Sequence, residues 1–343
     1  MSDRVDVAAP GPVLVTGASG KIGRFVVAEL VQRGHRVRAL TSRNRPPDGA
    51  PEGVEWRTKN FLESLDLDEE VAGCAAVIHL AAEIADMSRM QRVNVEATRA
   101  LAAASERAGV TVFCYTSSVS VYGSSLSRHV TEDSPTLTAD KDVRPEYIAP
   151  EFLRAYGRTK LLGEAALRGE ARAVRYVVAR PTVVIDVEDI VRLGQLGTLR
   201  KALIARRHAH HVGVRDVAHA LVWLMERGLR GGGAPGEVSV YNIAEDEFPD
   251  SSYEKIFRTL YASTSQGAFQ MRPAPGVVDR LATALRLGVL PLRYSFGQMV
   301  FSSDKLKREG YRIRFGLSSV YGQAIREIMA GAGAASPHES RAV

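Results

Sequence analysis

The chain has 343 residues, 45% of them hydrophobic and 24% charged, a balance that suits a globular body of one large domain or two smaller ones. Lys and Arg number 45 against 39 Asp and Glu, a net charge of +6 and a pI near 9.4, with the basic residues spread along the sequence. Without aromatic interleaving or a nucleic-acid motif, that charge argues against a nucleic-acid partner, and no apolar run reaches the roughly 18 residues of a membrane span.

Both cysteines, Cys74 in "AGCAAVIHL" and Cys114 in "VFCYTSS", sit in apolar contexts. They are expected to be buried, reduced thiols. Because "MSDRVDVAAPGP" lacks the apolar centre of a signal peptide, a cytoplasmic location is expected. Residues 1–11 and 331–343 read as flexible tails.

In chain order, "PVLVTG" reads as a strand and "GRFVVAELVQRG" as a helix. "HRVRALTS" and "GVEWRTKN" are the second and third strands, the latter weaker. A short helix in "LDLDEEVAGC" precedes the fourth strand, "AAVIHLAA". The long helix "MQRVNVEATRALAAASERAG" leads to the fifth strand, "VTVFCYTSS". The helix "EFLRAYGRTKLLGEAALRGE" leads to the sixth, "RYVVARPTVV". Such alternation predicts right-handed βαβ units and a Rossmann-type, doubly wound parallel α/β sheet. After residue 181 the pattern weakens, although "VRDVAHALVWLMERGL" is a clear helix and "GEVSVYNIA" a strand. The expected organisation is a dinucleotide-binding domain over 12–181, with 213–245 returning to it. Residues 182–212 and 246–330 would form a smaller C-terminal substrate-binding lobe.

The stretch "VLVTGASGKIG" places Gly17, Gly20 and Gly23 between the first strand and the first helix. Glycine there allows a tight turn, close approach of the backbone to a pyrophosphate, and close helix–strand packing. The free N–H groups of the helix N-terminus suit phosphate. A glycine-rich turn without a ligand is the plainer reading of the triplet alone; its strand–turn–helix context favours a dinucleotide.

Counted from Gly17 the spacing is GxxGxxG. With "TGASGKIG", it resembles the extended short-chain dehydrogenase/reductase family, of the NAD-dependent epimerase/dehydratase type. Further segments resemble that family in the same order: "AAVIHLAA", "RVNVEATRALAAA" (with Ala97 where Gly is usual), "VFCYTSSVSVYG", "YGRTK", "ARPTVV" and "VRDVAHAL". The resemblance covers roughly residues 12–245. It implies a catalytic set of Ser118, Tyr156 and Lys160. It implies cofactor contacts from Gly17, Ser19, Gly20, Lys21, Ile22 and Gly23 in the loop, and from Ser42 and Arg43 after the second strand. Further contacts are implied from Asn60 and Phe61, from Leu80, Ala81 and Ala82, and from Asn94, Thr116, Pro181 and Val183. Glu83, Val119 and Ser120 are implied on the substrate side. The polar loop 124–151 corresponds to a region that closes over substrate in the family. A homodimer through the helices near 90–108 and 152–168 is a further implication.

Chemically, Tyr156 and Lys160 stand four residues apart on one helix face. A free phenol titrates at about 10, and a neighbouring ammonium is expected to lower that value. Tyr156 can then exchange a proton with a carbonyl or alcohol oxygen that Ser118 also contacts, while a nicotinamide supplies or accepts hydride. Asn94 suits either a helix cap or the cleft, and Asn60, where the family often has Asp, can still offer an amide to an adenine.

The end of the second strand reads "LTSRNR", with no Asp or Glu between Glu29 and Asp48. A carboxylate there would hold the ribose hydroxyls of NAD, whereas Arg43 can pair with the extra phosphate of NADP. NADP is therefore the expected cofactor and NAD the alternative. Val119 and Ser120 follow Ser118 where dehydratases carry acids, which argues against dehydration. The complete Ser–Tyr–Lys set argues against a non-catalytic dinucleotide sensor. The expected function is an NADP-dependent ketoreductase acting on a small-molecule carbonyl or alcohol of a biosynthetic route. The rival is a nucleotide-sugar epimerase with tightly held NAD, for which the basic cluster "RKALIARRHAHH" could clamp a diphosphate. His208, His210 and His211 lack partners at metal-ligand spacing, so no metal is expected and solvated histidines are. The amphipathic segment 277–294 suits a pocket wall, core packing or a dimer helix.

Overall fold

The computed structural model describes residues 9–43, 46–137, 151–205, 209–249, 253–264, 276–287, 293–294 and 296–334. Several sequence features lie outside them: Asn44 and Arg45 after the second strand, residues 138–150 of the 124–151 loop, Arg206, Arg207 and His208 of the basic cluster, and the outer parts of both tails.

The first half alternates as its periodicity predicts. It runs β1 (Val13–Thr16), α1 (Lys21–Gln32), β2 (Val37–Thr41), β3 (Glu55–Thr58), α2 (Asp68–Val71) and β4 (Ala76–His79). Next come α3 (Met87–Met90), a π-helical turn over Gln91–Glu96, α4 (Ala97–Ala108) and β5 (Val112–Thr116). A 3-10 turn at Val119–Tyr122 and the two-residue β6 (His129–Val130) precede α5 (Glu151–Glu170) and β7 (Arg175–Pro181). The second half holds β8 (Val183–Ile185), α6 (Val187–Gly194), α7 (Thr198–Ala205), β9 (His211–Gly213), α8 (Val214–Leu229) and β10 (Val238–Ile243). It ends with α9 (Tyr253–Thr264), α10 (Gly276–Leu287), β11 (Val300–Phe301), α11 (Asp304–Arg308) and α12 (Gly316–Ala334).

Seven strands form one parallel sheet in the order β10-β7-β5-β4-β1-β2-β3. Its central strands β1, β4 and β5 are buried at every position, as expected where helices cover both faces. Alternate residues serve opposite faces. Val13, Val15, Ile78 and Cys114 pack with Val26 and Leu30 of α1 and Leu221 of α8. Leu14, Val77, Phe113 and Tyr115 pack with Leu101 of α4 and Leu167 of α5. The strand order reverses between β1 and β4, and in open α/β sheets such a switch point opens a crevice at the carboxyl ends of the strands.

The sixth predicted strand, "RYVVARPTVV", is two strands. Thr182 N–H still bonds Ile243 O (3.0 Å), but the chain then leaves the main sheet and β8 pairs with β9. That second pairing explains a correction to the sequence reading. His210 and His211 are not solvated but 2% and 0% exposed. His210 bonds Glu245 O through Nε2 and accepts from Phe301 N–H through Nδ1, and the His211 ring meets Tyr253 edge-on at 5.1 Å. Beyond β8 a separate apolar cluster joins Ile190 of α6, Ile256 and Leu260 of α9, and Leu317, Val320 and Ala324 of α12. Asp216 of α8 anchors this part by accepting from the N–H groups of Arg314, Phe315 and Gly316 at 2.9–3.0 Å, which satisfies the start of α12. Cys74 and Cys114 are free and buried. Among the described residues no helix is long and apolar enough to cross a membrane.

Candidate functional site

The switch point opens into a cleft of about 750 Å³ that runs from the glycine loop to α5. At one end, β1 gives way to Gly17, whose φ is +65°. A Cβ at Gly17 would stand 2.8 Å from the Ala81 nitrogen, so only glycine lets the loop pass under the end of β4. At Gly23 a Cβ would meet Gly17 O at 2.2 Å, which is why α1 can seat its first turn on the loop. Gly20 caps α1 with no side-chain hydrogen bond, leaving the first N–H groups directed at the cleft. Ser19, Lys21 and Ile22 line the same end.

These side chains are already engaged. Ser19 Oγ and Thr41 Oγ1 are 2.8 Å apart. Lys21 pairs with Asp189 and lies 3.6 Å from Asp186, while Arg24 reaches Asp186 at 3.4 Å and Glu188 at 3.3 Å. Asp186 and Asp189 form the capping box of α6, so a bridge of ion pairs joins the glycine-loop helix to the first helix beyond the sheet. At the end of β2, Ser42 and Arg43 line the cleft beside Lys59, Asn60 and Phe61. The Arg43 backbone is fixed through its N–H to Thr41 Oγ1 (3.1 Å) and its carbonyl to Thr58 (3.2 Å). The Asn60 side chain is engaged within its own turn, donating to Glu63 and accepting from Leu62 N–H.

At the other end Ser118, Tyr156 and Lys160 share the cleft with Thr116 and Pro181. Ser118 Oγ accepts from Ser120 N–H (3.1 Å), capping the 3-10 turn, and keeps its own proton for another acceptor. Lys160 is 1% exposed, its Nζ 4.1 Å from the centre of the Tyr115 ring. Burial pulls its ammonium down to about 7, opposed by Glu164 one turn further on. Burial also pushes the Tyr156 phenol up to about 12. The sequence led us to expect the opposite shift for Tyr156. Desolvation of this enclosed end outweighs the neighbouring cation.

Behind the wall, His79 is fully buried and held neutral, burial and then Lys160 lowering it to about 3. Thr98 donates to Asn94 O (2.9 Å), so it receives the His79 Nε2–H (3.0 Å), and Nδ1 accepts from Thr16 (2.6 Å). Thr16 Oγ1 accepts in turn from the N–H groups of Leu80 and Ala81 (3.2 and 3.3 Å). This chain fixes the β4 end, where Leu80, Ala81, Ala82 and Glu83 line the cleft. The Glu83 carboxylate accepts from the N–H groups of Ile84, Ala85 and Asp86. Burial raises its titration, but these donors outweigh it and hold the group below the usual carboxylate range.

Four sequence-derived positions fall outside the cleft lining. Asn94 is completely buried in the π-helical turn, where one extra residue per turn rotates it toward the sheet. Its Oδ1 accepts from Glu83 N–H (2.8 Å), and its Nδ2 donates to Glu83 O (2.9 Å) and Thr159 Oγ1 (3.0 Å), so it clamps the β4 loop to α5. Val119 and Ser120 lie buried in the 3-10 turn at 0% and 4% exposure, and Val119 packs with Val130 and Phe301. Val183 is replaced in the lining by Val184, an alternation of faces within β8. The sequence reading did not single out Ile84, Arg89, Ser117 or Thr182, all of which line the cleft. Ser117 and Thr182 are each next to a motif residue, while Ile84 and Arg89 carry no local signal.

The fold agrees with known proteins. The model of the NAD dependent epimerase/dehydratase family matches residues 13–188, just over half the chain. The 3-beta-hydroxysteroid dehydrogenase of Mycolicibacterium neoaurum is 29% identical over 252 residues, 68% of this chain and 66% of the relative. Cinnamoyl-CoA reductase 1 of Oryza sativa subsp. japonica is 29% identical over 238 residues, 63% of this chain and 68% of the relative. The chain thus spans about two thirds of the length of these curated relatives. A short-chain dehydrogenase/reductase superfamily protein from Agrobacterium tumefaciens, solved with bound NAD, superposes with a TM-score of 0.69 at 23% identity, covering 94% of this chain and 99% of that one. That family match, over more than half of the chain, places it in the NAD dependent epimerase/dehydratase family.

Proposed function

We propose that the chain is an NADP-dependent ketoreductase. The observation that carries this reading is that Arg43 lines the same cleft as Ser118, Tyr156 and Lys160. Arg43 has no acidic partner among the described residues, and its guanidinium is free to take a phosphate. The open N–H groups of α1, Ser19 and the loop glycines would hold a pyrophosphate, and Asn60 and Phe61 would flank an adenine. The dinucleotide, when bound, supplies hydride to the carbonyl carbon.

This chain's residues manage the oxygen. Ser118 donates a hydrogen bond to it, and Tyr156 gives it a proton as charge develops. Lys160, when protonated, stabilises the phenolate left behind. A phenol raised to about 12 by burial holds its proton at rest and gives it up only when hydride transfer makes the carbonyl oxygen basic enough to take it. Beside Glu83 and Arg89, the rim carries Ile84, 54% exposed at the cleft. An exposed isoleucine at the rim suits an apolar portion of a ketone substrate. The reductase and dehydrogenase relatives support this reading.

The test is a substrate screen with NADPH and NADH over apolar ketones and nucleotide sugars, using the wild type and Tyr156→Phe. NADPH-dependent ketone reduction lost in the variant supports the reading. Turnover of a nucleotide sugar in its place would install the epimerase.

A further inference from the structure

The reacting end holds a buried acid that the proton-transfer scheme leaves unused. Tyr156, Lys160 and Glu164 succeed one another at four-residue steps on α5 and so share a face. Glu164 has no exposed surface. Its carboxylate accepts from Ser117 Oγ at 2.6 Å, Arg180 Nε at 2.9 Å and Arg180 Nη2 at 2.6 Å. Arg180 Nη1 donates to Tyr122 Oη (2.8 Å), which donates to Asn242 Oδ1 (2.8 Å). Ser117 immediately precedes Ser118, and Arg180 immediately precedes Pro181 of the cleft wall. One carboxylate therefore ties the ends of β5 and β7 to the helix that carries Tyr156.

The charges do not balance as a simple pair. Arg180 alone would neutralise Glu164, yet Lys160 adds a second cation in the same dry region. A buried cation with no anion is expensive. Lys160 is faced by Tyr115 from β5 and neutral His79 from β4 and shares the α5 face with Tyr156 and Glu164, while Arg180 of β7 holds Glu164 and Arg168 approaches it at 3.8 Å from the outside. Glu164 is the one carboxylate in that set.

We propose that Glu164 is a positioning residue for the reaction: its carboxylate, bonded to Arg180 and standing one helical turn from Lys160, keeps Lys160 protonated and, through Ser117, fixes the strand end that carries Ser118. A group whose work ended with Arg180 would need neither the bond from Ser117 nor its place one turn from Lys160. The opposition of Glu164 to the burial-driven fall of Lys160 agrees with this role.

The proposal rests on Lys160 belonging to the reacting end, so its deciding readout, the Lys160 midpoint, uses no substrate. The chain has eight lysines, few enough for the Lys160 side-chain carbon signal to be followed by NMR against pH and identified by its loss in Lys160→Arg. In Glu164→Gln the Lys160 midpoint should fall by about one pH unit or more. In Glu164→Asp, which keeps the charge on a shorter arm, it should fall less. In Ser117→Ala, which keeps both charges, it should stay in place while carbonyl reduction slows. An unmoved midpoint in Glu164→Gln, with only the melting temperature lowered, would make Glu164 an anchor for Arg180 and overturn the proposal. Should Glu164→Gln fail to fold, an unmoved midpoint in Glu164→Asp overturns it equally. Absence of ketone turnover with the Lys160 shift intact would instead count against the reductase reading alone.

Discussion

The two ends of the cleft are built from opposite electrostatics. At the phosphate end the cations Lys21 and Arg24 are part exposed and paired with Asp186, Glu188 and Asp189, within reach of water and salt. At the reacting end Lys160, Glu164 and Arg180 are each 3% exposed or less, and every partner is a named hydrogen bond or ring. The first end can exchange partners cheaply, as a site that gains and loses an anion must. The second holds fixed charges in a low dielectric, where a small displacement changes proton affinity strongly. Binding should therefore respond to ionic strength and chemistry to pH.

Substitutions can break that contrast, beginning with the largest effect. Tyr156→Phe removes the proton donor but no contact of the phosphate end. Carbonyl reduction should drop by on the order of 10²–10⁴-fold while the dinucleotide dissociation constant, read by fluorescence titration, stays within a factor of a few. Arg43→Asp does the reverse: NADPH affinity should fall by roughly 10–100-fold, NADH affinity far less, and the rate at saturating cofactor little. An unchanged NADPH-to-NADH preference would mean that another residue reads the phosphate.

The pH dependence sharpens the comparison. Reduction requires protonated Lys160, whose folded-state value lies near 7, so kcat/KM should fall as pH rises through about 7. The sign for stability is opposite. Lys160 titrates lower when folded than when unfolded, so the unfolded chain binds more protons between about 7 and 10.5, and this group's contribution to stability rises with pH across that window. Asn94→Ala would leave the backbone groups of Glu83 unpaired, and urea unfolding should show a loss of about 1–3 kcal/mol. The smallest effect is expected from Asp189→Asn. It frees Lys21 from an exposed pair, should change stability by less than about 1 kcal/mol, and should steepen the salt dependence of NADPH binding.

The same contrast explains what the sequence disclosed. The glycine loop and the Tyr156–Lys160 pair were legible because each is local: a strand–turn–helix and a four-residue helical step. The central parallel strands were legible because burial on both faces leaves continuous apolar runs, whereas β3, with no buried position at the sheet edge, gave the weaker signal. Asn94, Val119, Ser120 and Val183 were placed by resemblance to motifs, but whether a side chain faces the cleft or the core depends on one residue of register. A π-helical turn and a 3-10 turn decided it for three of them. His210 and His211 looked solvated because the pairing that buries them, β8 with β9, joins segments about 28 residues apart with weak local signals. The Tyr156 shift was misjudged for a related reason: a neighbouring charge is visible in sequence, whereas desolvation is a property of the whole cleft.

The central claim is that this cleft reduces a carbonyl with net use of NADPH. Its most direct test is stoichiometry: NADPH consumed against product formed, with the wild-type chain across apolar ketones and nucleotide sugars. The account predicts one NADPH consumed per ketone reduced, and no turnover of the sugars. Conversion of a nucleotide sugar with no net consumption of NADPH would contradict it.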